Sequence, residues 1–180
     1  MGNAESTLED DDVSELESAT GLSARQIRQL YRRFQKLDKA QVGVISESEL
    51  MMIPEFASNP LCDRLVEVVS RHGGGGGQIN FRQFLVALAV FSPFTAREAK
   101  EQFAFEIYDV DNDGFISRGD LCHILHDLVG SNITDAEVSD IARITIEAAD
   151  VIDGDGKISR QEFSASMANC DLGLRMRVRL

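Results

Sequence analysis

One stretch of twelve residues, from Asp109 to Asp120, constrains the fold of this chain more than any other part of it. It reads DVDNDGFISRGD, with carboxylates at positions 1, 3, 5 and 12 and a glycine at position 6. Apolar residues recur at helical spacing on both sides of it. An acidic turn between two amphipathic helices, with a glycine that permits a sharp bend, is typical of a loop that wraps around a cation.

The stretch has the residue pattern of an EF-hand calcium loop. A hard cation such as Ca²⁺ takes about six to eight oxygen ligands, which this loop can offer from side chains, one carbonyl and water. Aspartate at position 12 is shorter than the usual glutamate, which predicts a weaker calcium site or one more tolerant of Mg²⁺. The predicted ligands are Asp109, Asp111, Asp113, the Phe115 carbonyl, Ser117 through a bridging water, and Asp120.

The pattern around position 8 of this loop occurs four times in the chain. Each time, an isoleucine is followed four residues later by an acidic or amide residue and then by a large apolar one. In paired EF-hands the residue at position 8 bridges to the sister loop, so we expect Ile45 to pair with Ile79 and Ile116 with Ile158. The repeat predicts an all-α fold with two lobes of paired EF-hands, in which four helix-loop-helix units are joined by short β-bridges.

The fourth loop has the same ligand types but one residue more than the third. It runs over thirteen positions, from Asp150 to Glu162. We predict that it binds calcium as a bulged loop; the alternative is that the insertion disables the site. The predicted ligands are Asp150, Asp153, Asp155, the Lys157 carbonyl, Ser159 and Glu162.

The first two loops lack most of these ligands. Loop one, residues 38–49, has Ala40 and Val42 where carboxylates belong. Loop two, residues 72–83, has glycine at positions 3 and 5 and the neutral Gln83 at position 12. We therefore predict a structural N-terminal lobe with metal-free loops and two calcium sites in the C-terminal lobe.

Breaks in the repeat divide the chain into four parts. Residues 1–21 form an acidic segment with an acylation signal, and residues 22–92 form the N-terminal lobe. Residues 93–170 form the C-terminal lobe, and residues 171–180 form a tail that carries three arginines. The tail is either a strand-like segment that lies in a groove or a loose basic end.

The charge of the chain argues against several kinds of partner. Its 18 basic and 30 acidic residues give a net charge of -12, which disfavours nucleic acid or an anionic membrane surface as an electrostatic partner. Three widely spaced cysteines indicate reduced thiols in a cytoplasmic protein. No nucleophile elbow, Cys/His pair or phosphate loop is recognisable, so we do not expect an enzyme.

The first residues, MGNAES, match the signal for N-myristoylation at Gly2. A single myristoyl chain binds membranes only marginally. We therefore expect a cytoplasmic protein that associates partly with membranes, through the lipid, through a partner, or through both.

Beyond the loops, the chain resembles the calcineurin B family over nearly its full length. The segments that carry the resemblance are Leu30-Tyr31-Arg32-Arg33-Phe34, Ile53-Pro54-Glu55, Asn59-Pro60-Leu61, Asn80-Phe81-Arg82, Phe103-Ala104-Phe105 and Val129-Gly130. The two empty loops and Asn80-Phe81-Arg82 are most similar to the calcineurin B homologous branch, whereas the short linker at Pro93 departs from it.

The resemblance implies a non-catalytic regulatory chain that grips an amphipathic helix of a partner in an apolar groove across both lobes. In this family the partner is the calcineurin catalytic chain, a phosphatase, or the juxtamembrane helix of a sodium/proton exchanger. A calcium buffer or sensor without an obligate partner is the alternative function. Candidate groove residues, for which core packing is the other interpretation, are Phe34, Leu50, Phe84, Leu88, Phe91, Leu125 and Met167.

Overall fold

The computed structural model describes residues 8–71, 77–90, 92 and 95–168 of the chain. The predictions that concern Gly2, Phe91 and the tail lie outside these residues. Among the helices described, none has both the length and the apolar character needed to cross a membrane.

The described chain is mostly helical, with four very short strands. Its N-terminal half contains α1 (Asp10–Thr20), α2 (Ala24–Leu37), β1 (Val44–Ser46), α3 (Glu47–Met51), α4 (Pro54–Ala57), α5 (Cys62–Arg71), β2 (Gln78–Asn80) and α6 (Phe81–Ala89). Its C-terminal half contains α7 (Arg97–Tyr108), β3 (Phe115–Ile116), α8 (Arg118–Val129), a 3-10 turn (Gly130–Asn132), α9 (Asp135–Ala149), β4 (Ile158–Ser159) and α10 (Arg160–Met167).

The short strands join the loops in two antiparallel pairs. Ile45 of β1 lies opposite Ile79 of β2, and Ile116 of β3 lies opposite Ile158 of β4. All four isoleucines are buried. Both pairings are as the repeat predicts, and the all-α fold with two sets of paired EF-hands is confirmed.

A capping box begins each helix that leaves a loop. In each case the cap side chain accepts a hydrogen bond from the backbone N–H three residues further on. That later residue is position 12 of the loop, and its side chain accepts the N–H of the cap residue in return. Position 12 therefore belongs both to a helix start and to a loop. The cap residues are Ser46, Asn80, Ser117 and Ser159.

Two hydrophobic clusters form the interior, and α7 contributes to both. Phe103 and Ile107 pack into the larger cluster with the helices of the N-terminal half. Ala104 and Phe105 pack into the smaller cluster with α9 and α10. Because successive faces of one helix are buried on different sides, α7 connects the two lobes.

Four of the predicted groove residues are core residues in this structure. Each of them is at most 2% exposed, within the larger cluster. Helical spacing of apolar residues describes a core face and a groove face equally well, and here the helices close over these side chains. Two others, Leu125 and Met167, are half-buried against the smaller cluster. The four core residues are Phe34, Leu50, Phe84 and Leu88.

Candidate metal centre

Three carboxylates converge in loop three. Oxygen atoms of Asp109, Asp111 and Asp113 lie within 4.8 Å of one another. Asp109, which follows the last residue of α7, is 3% exposed, whereas the other two side chains face solvent. An anionic set made only of oxygen atoms suits a hard cation such as Ca²⁺.

Asp109 is held in place by the backbone of its own loop. The N–H of Asp113 donates to Oδ1 of Asp109 at 3.1 Å, and the N–H of Gly114 donates to Oδ2 of Asp109 at 3.0 Å. Gly114 has φ +89°, in the left-handed region that favours glycine. Burial raises the pKa of Asp109, and the negative charges of Asp113 and Asp120 raise it further, although the two N–H groups oppose this. A bound cation would relieve the repulsion, so these residues fit a metal ion.

The carboxylate of Asp120 closes loop three from its far end. Its Oδ1 accepts the N–H of Val110 at 3.1 Å. Its Oδ2 accepts the N–H of Ser117 at 2.8 Å and the Ser117 hydroxyl at 2.5 Å. Ser117, predicted to hold a water, is hydrogen-bonded to the position-12 carboxylate. How far Asp120 reaches towards a metal stays a prediction.

Loop four brings together a second set of three carboxylates. Oxygen atoms of Asp150, Asp153 and Asp155 also lie within 4.8 Å of one another. The N–H groups of Gly154 and Gly156 donate to the two oxygens of Asp150 at 2.8 and 2.7 Å. Asp150 therefore occupies the place that Asp109 has in loop three.

The extra residue of loop four is Val151. The N–H of Ile152 donates to Oε1 of Glu162 at 3.0 Å, as the N–H of Val110 does to Asp120. Ile152 lies two residues after Asp150, whereas Val110 directly follows its aspartate. Val151 is 70% exposed. The bond from the glycine at position 6 is the same in both loops, whereas Oδ1 of the first aspartate accepts from position 5 in loop three and from position 4, Gly154, in loop four. This geometry places Asp150 at the start of a thirteen-residue loop, and its role as the first ligand stays a prediction.

Hydrogen bonds hold Glu162 in its anionic form. Its side chain is 1% exposed and accepts hydrogen bonds from the N–H groups of Ser159 and Ile152 and from the Ser159 hydroxyl. These contacts lower the pKa of Glu162 to about 2. The carboxylate is therefore ionised at neutral pH and available to a cation.

One contact between the two loops has no signal in the sequence. The Lys157 ammonium donates to Oδ2 of Asp113 at 2.7 Å and lies 5.2 Å from the centre of the Phe115 ring. The hydrogen bond between Lys157 and Asp113 raises the pKa of Lys157 and lowers that of Asp113. Lys157 and Phe115 were predicted as ligands only through their carbonyls. The side chains add a link across the β3–β4 bridge.

Comparison with known proteins agrees with this geometry. The family model described as an EF-hand domain pair matches residues 98–168. The chain is 42% identical to the calcineurin B subunit of Naegleria gruberi over 180 residues, which is 100% of each protein. It is 36% identical to the type 2 calcineurin B subunit of Dictyostelium discoideum over 169 residues, or 94% of this chain and 91% of that protein.

Proposed function

The chain belongs to the calcineurin B family of EF-hand proteins, and from this premise we propose that it is a calcium-binding regulatory subunit that holds an amphipathic helix of a partner. Proteins of this family are non-catalytic. The observation that carries the proposal is the pair of joined loops in which three carboxylates converge. We propose one Ca²⁺ in each loop, with Mg²⁺ as a competitor at loop three.

An apolar cavity between α5, α6 and α7 supports the partner-binding part of the proposal. Its volume is about 370 Å³. Val86 lies on its wall and is 45% exposed, so an apolar side chain at the cavity is accessible to a partner. A partner helix would lie across the mouth and insert apolar side chains spaced by three or four residues. The other apolar lining residues are Val69, Ala87, Val90, Ala99 and Phe103.

The names of the relatives favour one partner over another. Both relatives are calcineurin B subunits by name. We therefore propose a calcineurin-type phosphatase catalytic chain as the partner, with the helix of a sodium/proton exchanger as the competing outcome.

A pull-down with the full chain tests the proposal. The tagged chain is incubated with lysate of its own cells, with and without a calcium chelator, and the bound proteins are identified by mass spectrometry. We expect a phosphatase catalytic chain, and we expect Val86→Glu to reduce its recovery because a charge would enter the apolar cavity. Ile144→Glu is the matched control, since Ile144 is an exposed residue of α9 that does not line the cavity.

The outcomes separate the candidate functions. Recovery of an ion exchanger would replace the phosphatase as the partner. Undiminished recovery of the phosphatase by the Val86→Glu chain would overturn the cavity as the docking site. A chain that binds calcium but recovers neither a phosphatase nor an exchanger would favour a buffer or sensor without an obligate partner.

We also propose that Gly2 is myristoylated and that a fraction of the cytoplasmic protein lies at membranes. The support is the N-terminal sequence alone. Labelling with a myristate analogue should be lost in Gly2→Ala and retained in Asn3→Ala. Labelling of the Gly2→Ala chain would contradict this.

A further inference from the structure

Arg64 of α5 is a buried cation that reaches from the N-terminal half to the start of loop three. It is 4% exposed. Its Nε donates to the carbonyl of Ile107 at 3.0 Å, and its Nη2 donates to the carbonyls of Glu106 at 2.7 Å and Asp109 at 2.6 Å. Carbonyls in the last turn of a helix have no partner within that helix. Arg64 therefore caps the C-terminus of α7 from another helix, with a favourable charge at that end of the helix dipole.

The contacts of Arg64 also fix the main chain of Asp109, the first predicted ligand of loop three. The main chain of Asp109 is held by Arg64, while its carboxylate is held by N–H groups of the loop. The residue that begins loop three is thus anchored on both sides. Its position depends on a side chain that lies 45 residues earlier in the chain.

A second arginine of α5 contacts the middle of the same loop. Nη1 of Arg71 donates to Oδ1 of Asn112 at 2.7 Å. Asn112 occupies position 4 and has φ +60°, a left-handed conformation that a side-chain contact helps to hold. Loop three is therefore held by α5 at its start and at its turn.

Glu67 joins the two arginines on one face of α5. It accepts from Nη1 of Arg64 at 2.6 Å and from Nη2 of Arg71 at 2.9 Å. Burial alone would raise the pKa of Glu67, but the hydrogen bonds from both guanidinium groups outweigh it and lower the pKa. Glu67 therefore stays ionised and keeps both arginines oriented.

We propose that Arg64, Glu67 and Arg71, here called the α5 clamp, position loop three and strengthen its binding of calcium. The inference rests on the proposed function, because it concerns the calcium site of loop three. A loop whose first ligand and turn are already fixed loses less conformational entropy when the ion binds. The metal-free lobe thereby sets the affinity of a metal site in the other lobe.

The α5 clamp also has an electrostatic effect, which opposes calcium binding and must be separated from its effect on the position of loop three. A guanidinium close to the site repels a divalent cation. Lysine keeps the charge but cannot reach three carbonyls in a fork. Arg64→Lys therefore tests positioning, because the repulsion stays while the geometry is lost.

The experiment is a calcium titration by calorimetry of the full chain in a Glu162→Gln background, in which loop three alone is measured. We expect Arg64→Lys to weaken binding roughly tenfold and Arg71→Lys, which also keeps its charge, about threefold, as the loss of a few hydrogen bonds implies. Arg82→Gln is the matched control, since Arg82 pairs with Glu15 at 2.6 Å in the same lobe without contacting a metal loop. It should change the affinity less than about twofold.

Loop four serves as the internal reference. All clamp contacts described above go to α5, α7 or loop three, so an Asp109→Ala background should show unchanged affinity at loop four in the clamp variants. Equal weakening of both loops would indicate general destabilisation and overturn the clamp.

Two further outcomes are distinguishable. Unchanged affinity of loop three in both clamp variants overturns the clamp alone. If Arg64→Lys does not fold, Arg71→Lys decides, because Arg71 is 33% exposed and its replacement leaves the buried carbonyls paired. Absence of binding at loop three in the Glu162→Gln parent overturns the proposed metal site and the clamp with it.

Discussion

Loop one and loop three have the same backbone conformation but differ in the side chains that could bind a metal ion. Asp38 and Asp109 both end a helix, with φ and ψ of -70° and 74° in the first and -77° and 85° in the second. The carboxylate of Asp38 accepts the N–H groups of Val42 at 3.1 Å and Gly43 at 2.7 Å. These are the bonds that Asp109 accepts from positions 5 and 6 of its own loop.

The left-handed positions of the two loops coincide as well. Position 4 has φ +55° in Gln41 and φ +60° in Asn112. Position 6 has φ +81° in Gly43 and φ +89° in Gly114. The first aspartate, the glycine and the following capping box therefore form the loop, whereas the carboxylates at positions 3 and 5 are what the proposed metal site adds to it. Loop one has the former and lacks the latter.

The strongest test of this comparison replaces the position-12 carboxylate by an amide in one loop of each lobe. We expect Glu162→Gln to weaken calcium binding at loop four on the order of 100-fold, because a buried anionic ligand is lost from a site whose affinity depends on ligand charge. Calorimetric titration of the full chain should then show one strong calcium site instead of the two that the two sets of carboxylates predict. Asp109→Ala should do the same at loop three.

Glu49→Gln is the matched control for that experiment. Glu49 closes the capping box of loop one by accepting the N–H of Ser46 at 2.8 Å, as Glu162 does with Ser159. Because loop one lacks the other carboxylates, the number of bound ions should not change. Loss of an ion in Glu49→Gln would show that the N-terminal lobe binds metal after all.

The second test rebuilds a site in loop one. Ala40→Asp together with Val42→Asp restores carboxylates at positions 3 and 5, and both residues are exposed, so the core is not disturbed. We expect one additional calcium ion, bound with a dissociation constant of about 10⁻⁴ to 10⁻³ M. The corresponding double asparagine variant should bind more weakly. Unchanged calcium stoichiometry in the aspartate variant would mean that the common backbone conformation and the restored carboxylates are not sufficient to bind calcium.

The third test lengthens position 12 of loop three. Asp120→Glu should raise calcium affinity roughly tenfold and reduce competition by Mg²⁺, since glutamate reaches an ion with both oxygens more easily. Titrations with and without millimolar Mg²⁺ measure both effects. A rise in Mg²⁺ affinity equal to that for calcium would show that the short side chain is not what limits loop three.

Features with a fixed spacing along the chain were predictable from sequence. Pairing of Ile116 with Ile158 follows from the repeat, and the thirteen-residue loop follows from counting back from Glu162. Burial of Phe84 was not predictable, because an apolar helical face has the same spacing whether it meets a core or a partner. Contacts of Arg64 were invisible for another reason: they join residues far apart in the chain, and their acceptors are backbone carbonyls, which every residue has.

The mildest test compares loop four with loop three by deleting Val151. Val151 is 70% exposed, so its removal loses little packing and should change the free energy of unfolding by no more than about 0.5 kcal/mol. Deletion gives loop four the spacing of loop three, in which the residue after the first aspartate donates its N–H to position 12. Calcium affinity at loop four, measured in an Asp109→Ala background, should change by less than about threefold, because the carboxylates already converge around the bulge. A large loss of affinity would mean that the bulge itself shapes the site, and that the two metal loops reach the same ligand geometry by different backbones.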